Sequence, residues 1–188
     1  MDALVVASTE KQRHAISDVL YRAHIDSVLC STAAEARRAS FCRPFDVFVV
    51  NSELPDEHGN LLAVDIAEAN DIGGIYIDDY TRAEKFTDVL GNLGILTLSR
   101  PITKSALYDS VRLILAANAR VRALKTKNDE LSAKLEDLKY ISRAKIVLMR
   151  TLGYTEDQAH KHIEKLSMDR RVSRRKIAVE IVKTYEEA

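Results

Sequence analysis

Five short apolar runs, Ala3–Val6, Ser27–Cys30, Val47–Val50, Ile75–Ile77 and Ile95–Leu98, punctuate the first part of the chain, and the segments between them carry helical periodicity. The runs lack the polar alternation of a strand with one wet face, so they read as strands buried on both faces. Each intervening segment is long enough for a helical crossover. The pattern predicts an α/β fold over residues 1–118, a doubly wound parallel sheet of five strands.

At 188 residues, the chain has room for that domain and a smaller second one. Hydrophobic residues make up 46% and charged residues 30%, which excludes a largely disordered chain. The first residues lack a basic leader, and Glu10 and Lys11 interrupt them before an apolar segment reaches signal or membrane-span length. A cytoplasmic location without membrane attachment is expected. Cys30 and Cys42 have neither zinc nor redox spacing and are expected to be inert core thiols.

The net charge of zero hides an asymmetry. Residues 1–118 carry −6, residues 119–138 carry +1 and residues 139–188 carry +5. A basic segment on an acidic partner suggests that the tail meets a polyanion.

The loop Asn51-Ser52-Glu53-Leu54-Pro55-Asp56-Glu57-His58-Gly59, and Arg100-Pro101 after the fifth run, resemble the receiver domain of bacterial response regulators. That resemblance implies a flavodoxin-like sheet. It also implies an acidic pair after strand 1 for Mg²⁺, an Asp phosphoacceptor after strand 3, a Thr or Ser after strand 4 and a Lys after strand 5. Here Ala7-Ser8, Asn51, Asp78 and Arg100 take those places. An amide is no carboxylate nucleophile, and Ala and Ser offer Mg²⁺ no anionic oxygens. The domain therefore reads as a pseudo-receiver, controlled by a regulatory protein partner or a ligand, or serving only for dimerisation or stability. Asp78 and Asp79 are expected to be solvated carboxylates at strand ends, not a metal site with Glu10 or Glu53, and no cofactor is expected.

From Thr103 to Gly153 the chain has neither Gly nor Pro. Ile114, Val121, Asn128 and Leu135 alternate with Ala117, Leu124, Leu131 and Leu138 at heptad a and d positions, so residues 103–140 read as a linking helix with a coiled-coil seam and the protein as a homodimer. Asn128 at an a position favours two parallel strands in one register. The e and g positions, Asn118, Lys125 and Lys127 among them, offer no attractive pairs between chains. The alternative is a helix packed on the sheet of its own chain, which leaves a monomer.

Gly153 is suited to a helix C′ position, Thr155 with Gln158 forms a capping-box pattern and Ser173 caps a third helix. Ala159, Ile163 and Leu166 on one helix, and Ile177, Ala178, Ile181 and Val182 on the next, are its inward stripes. The run Ala144-Lys145-Ile146-Val147-Leu148-Met149, followed by Gly153, Glu156, Ala159 and Ser167-Met168-Asp169, resembles the ANTAR output domain, here over residues 136–188. The resemblance implies binding to hairpins in nascent leader transcripts and suppression of transcription termination, hence a regulator and not an enzyme. Candidate RNA contacts are Lys145, Arg150, Lys165, Arg170, Arg171, Arg174, Arg175 and Lys176, because phosphates and unstacked bases call for surface cations. Met149 is a further candidate, although with Ala144, Leu148, Ala159 and Met168 it also reads as core packing. No Ser/His/Asp or Cys/His pattern stands out, and His160 and His162 fall on different sides of a helix. Two rival readings are a DNA-binding regulator whose tail enters a major groove and a protein-only adaptor.

Overall fold

A computed structural model describes residues 1–186. The chain divides into two compact units, one of Met1–Arg122 and one that begins at Ala123.

The first unit alternates strand and helix: β1 (Asp2–Val6), α1 (Glu10–Arg22), β2 (Asp26–Cys30), α2 (Ala33–Cys42), β3 (Val47–Asn51), α3 (Gly59–Asn70), β4 (Gly74–Asp79), α4 (Tyr80–Gly91) and β5 (Ile95–Arg100). The helix α5 (Lys104–Leu152) begins here. All strands are parallel, in the order β2-β1-β3-β4-β5. This is the doubly wound five-stranded sheet that the apolar runs predict.

Strand pleating sends successive side chains to opposite faces. Leu4, Val6, Phe48, Val50 and Tyr76 pack with Leu62, Ala63 and Ile66 of α3 on one face. Ala3, Val5, Val47, Val49, Ile75 and Ile77 pack with Ile16, Val19 and Leu20 of α1 and Leu107, Val111 and Ile114 of α5 on the other. Both faces are therefore covered, which is why the runs contain so little polar alternation.

Thr103 starts α5 as expected, its Oγ1 accepting the Ala106 N–H at 3.1 Å. Two positions of the heptad reading are corrected. Ile114 is 7% exposed and belongs to the core of this unit, because it continues the stripe of Leu107 and Val111. Asn118 is buried one helical turn later. Its side-chain oxygen accepts the Gly73 N–H at 2.9 Å, and its amide nitrogen donates to the carbonyls of Gly73 at 3.0 Å and Asp46 at 2.8 Å. The helix-on-sheet alternative thus holds for the beginning of α5. Cys42 also departs from expectation: it is exposed at the end of α2, while Cys30 is buried and burial pushes its thiol pKa up.

The second unit contains the end of α5, then α6 (Glu156–Arg170) and α7 (Arg174–Glu186). Ala144, Val147 and Leu148 of α5 meet Ala159 and Ile163 of α6 and Ile177, Ala178 and Ile181 of α7. Gly153 stops α5 with a φ of +69°, a left-handed conformation that glycine adopts at no steric cost. Thr155 and Gln158 form the reciprocal capping box, and Ser173 Oγ accepts the Lys176 N–H at 3.2 Å. Met168, read as core in sequence, is 77% exposed instead, because helical periodicity places it off the inward stripe of Ala159, Ile163 and Leu166 on α6.

Asn118 gives a direct test of this packing. Asn118→Ala leaves buried backbone groups of Gly73 and Asp46 without partners and should lower the stability of the first unit by about 3 kcal/mol, read from urea unfolding.

Candidate nucleic-acid interface and the receiver corner

The carboxyl ends of β1, β3, β4 and β5 converge where a receiver holds its chemistry. Ala7 is fully buried after β1, and its carbonyl accepts from Arg13 at 2.7 Å, as that of Ser8 does at 3.0 Å. Asn51 is buried at the end of β3, and its Oδ1 accepts from Arg100 at 3.2 Å. The same guanidinium reaches Asp79 at 3.3 Å. A Cβ on Gly59 would lie 2.1 Å from the Asn51 carbonyl oxygen, so only glycine lets α3 start this close to β3. Asp56 of the intervening loop accepts the N–H groups of Ala33 at 2.9 Å and Ala34 at 3.0 Å, which ties the loop to the start of α2.

The expectation for Asp78 is corrected. It is 1% exposed, not solvated, since its strand carries it into the sheet interior. Tyr76 Oη donates to it at 2.8 Å, the Asp79 N–H at 2.8 Å, and Arg82 lies at 3.5 Å. Burial alone would raise its pKa, but the hydrogen bonds from Tyr76, Ser52 and the Asp79 N–H, with the Arg82 charge, leave it below the ordinary carboxylate value. Burial and the Asp78 charge push the Tyr76 phenol up. Asp79 is half exposed and paired to Arg82 at 3.1 Å. Among the described residues no group of three or more His, Cys, Asp or Glu is placed to hold a metal ion.

In the second unit, internal ion pairs sort the candidate cations. Lys145 lies 2.6 Å from Glu156, and this hydrogen bond lowers the Glu156 pKa. Arg170 pairs with Glu180 at 2.9 Å and Arg174 with Glu164 at 2.8 Å. Arg175 reaches Glu136 and Asp137, both at 3.3 Å, and its guanidinium sits 5.5 Å from the Tyr140 ring centre. Arg150, Lys165, Arg171 and Lys176 are exposed and make no ion pair with another described residue. Met149, 40% exposed next to Arg150, stands at the surface and not in the core.

Arg171 was legible in sequence as a cation but not as a backbone feature. It caps α6 in the left-handed region with φ 52°, and its N–H bonds the Met168 and Ser167 carbonyls. Such a conformation is disfavoured by about 1 kcal/mol for a residue with a Cβ. Val121, Leu124, Leu131, Leu135 and Leu138 of α5 are each more than half exposed, and Asn128 is exposed among them. Asn118, which the heptad reading set on the outside of the seam, is instead bonded to Gly73 and Asp46 at the amino ends of β4 and β3, away from the corner. The spacing Leu107, Val111, Ile114, Asn118 was the available signal.

Asp78 links the receiver corner to stability. Its depressed folded pKa means that its contribution is fully present above the ordinary carboxylate value and is lost as pH falls through the folded value. Asp78→Asn should therefore be less stable than the parent by about 1–2 kcal/mol at neutral pH, and the gap in urea midpoint should close in acid.

Among known proteins, the ANTAR domain model matches residues 129–182. The chain is 24% identical over 139 residues to the transcriptional regulatory protein PdtaR of Mycobacterium tuberculosis, across 74% of this chain and 68% of that one. A response regulator receiver domain protein (CheY-like) from Methanospirillum hungatei superposes with a TM-score of 0.57 at 17% identity, covering 63% of this chain and 96% of its own. A sensor protein from Polaromonas gives a TM-score of 0.56 at 20% identity, covering 62% and 97%. The chain thus joins an α/β fold of the receiver type to a C-terminal segment that matches the ANTAR domain, and over most of its length it is similar to a transcriptional regulatory protein.

Proposed function

We propose that the protein is a cytoplasmic, RNA-binding transcription antiterminator that holds leader-transcript stem-loops as a homodimer and so keeps the terminator hairpin from forming. The observation that carries this reading is the coincidence of the ANTAR match with a small helical unit whose surface presents Arg150, Lys165, Arg171 and Lys176 without ion-pair partners among the described residues. Unpaired guanidinium and ammonium groups can neutralise phosphates, and guanidinium planes stack on splayed bases. Lys145, Arg170, Arg174 and Arg175 belong to the same surface, but RNA must draw them away from carboxylates. Met149 offers a polarisable apolar contact beside Arg150. The domains are read as a pseudo-receiver over residues 1–118, the linking helix over 103–140 and the RNA-binding unit over 136–188.

The dimer reading rests on the seam. Five apolar side chains at heptad spacing stand more than half exposed on a helix, with Asn128 at the position that selects a two-stranded register. Control passes to a bound partner or ligand, because Asn51 cannot accept a phosphoryl group as an aspartate does. No described helix is long and apolar enough to cross a membrane.

Fluorescence titration of the protein with leader RNA hairpins, with the matching duplex DNA and across salt separates the readings. Tighter binding to RNA, weakening steeply with salt, is expected. Equal or better binding to DNA would sink the RNA reading, and affinity for neither would favour an adaptor. Arg171→Gly is the informative variant: it removes a charge but suits the left-handed cap. It should weaken RNA binding and lower the salt slope by about one, with no loss of thermal stability. For the dimer, Leu131→Glu should halve the mass seen by sedimentation equilibrium.

A further inference from the structure

The first unit contains an open cleft of about 310 Å³ between α1 and the start of α5, at the carboxyl ends of β4 and β5. Ile16 and Leu107 form apolar walls on the two helices, and Ile77 forms the floor. Arg100 and Lys104 also line the cleft, and none of its lining residues is acidic. Lys104 is exposed and makes no ion pair with another described residue. Arg100 is partly engaged, one nitrogen facing Asp79 and another facing Asn51. Gln12 closes one side, and its Oε1 is buried without a hydrogen-bond partner.

Each of these observations limits the ligand. The volume lies at the lower end of that of small-molecule sites, which spans roughly 300–1,000 Å³. Apolar walls require an apolar body. Two cations without an acidic lining residue favour an anion, and a single compact carboxylate suits that pair. A buried amide oxygen without a partner loses a hydrogen bond's worth of stabilisation unless a donor reaches it. In open α/β sheets, the carboxyl ends of the strands are the usual place for ligands. Replacement of the acidic receiver positions by Ala7, Ser8 and Asn51 removes the carboxylates that would otherwise repel an anion here.

We propose that this α1–α5 cleft binds a small monocarboxylate with an apolar body and a hydroxyl or N–H donor, its carboxylate between Arg100 and Lys104 and its donor on Gln12. The site gives the receiver-like unit a chemical input in place of phosphate. It rests on the reading of that unit as controlled by binding. RNA is absent from the test below, so its failure leaves the RNA reading untouched.

The probe is para-hydroxyphenylacetate, titrated to millimolar concentration into the full-length protein and followed by methyl NMR of Ile16, Ile77 and Leu107. Saturable shifts at those methyls are expected. The uncharged para-hydroxyphenylacetamide should bind about tenfold more weakly, and phenylacetate, which lacks the donor, should also bind more weakly. Lys104→Gln should weaken the acid about fivefold and leave the affinity of the uncharged amide nearly unchanged, so that the gap between the two narrows. Ala15→Trp, at an exposed position on the rim, should block the cleft and abolish the shifts. Absence of shifts with the acid would overturn the proposal. So would equal binding of acid and amide, or an unchanged affinity in Lys104→Gln, which keeps the proposal testable even where the tryptophan variant does not fold.

Discussion

The structure depends on burial of a parallel sheet on both faces, and in particular on where α5 stops covering it. Leu107, Val111 and Ile114 close one face of the sheet. Asn118 ends that coverage by answering three backbone groups of Gly73 and Asp46 that a purely apolar helix would leave unpaired. Past this residue the same helix shows its apolar side chains to solvent, from Val121 to Leu138. The stripe is therefore covered in its first part and exposed in its second, and a polar residue marks the change.

The corner at the carboxyl ends of the strands has a receiver-type fold and carries Ala7, Ser8 and Asn51 in place of acidic side chains. Asn51, Asp78 and Arg100 remain at strand ends, but their polar atoms face one another and neighbouring groups: Arg100 with Asn51 and Asp79, and Asp78 with Tyr76 and the Asp79 N–H. Hydrogen bonds outweigh the burial penalty on Asp78 and keep it ionised deep in the sheet. Carboxylates that would bind a divalent cation are replaced, and the positive side chains Arg100 and Lys104 dominate the adjoining cleft.

The output unit shows why counting cations overstates an interface. Eight basic residues stand out in the tail, but Lys145, Arg170, Arg174 and Arg175 are held by Glu156, Glu180, Glu164 and the Glu136–Asp137 pair. Exposed ion pairs of this kind are worth little to stability. They also lessen the positive field of that surface, which leaves Arg150, Lys165, Arg171 and Lys176 as the cations outside such pairs among the described residues.

Strand placement, sheet type, the cap at Thr103, the stop at Gly153 and the box at Thr155 were all legible in the sequence, because pleat, helical period and capping chemistry act over a few residues. The resemblance to ANTAR was likewise carried by a local run. The sequence by itself could not assign Ile114 and Asn118 to the sheet's cover, since a heptad and a core-facing stripe share the same spacing over two turns. Nor could it show that Asp78 is buried, that Met168 is exposed, or which cations have acidic partners. Those outcomes depend on residues brought together from distant parts of the chain, as Asn118 is with Asp46 and Gly73, and only tertiary packing decides them.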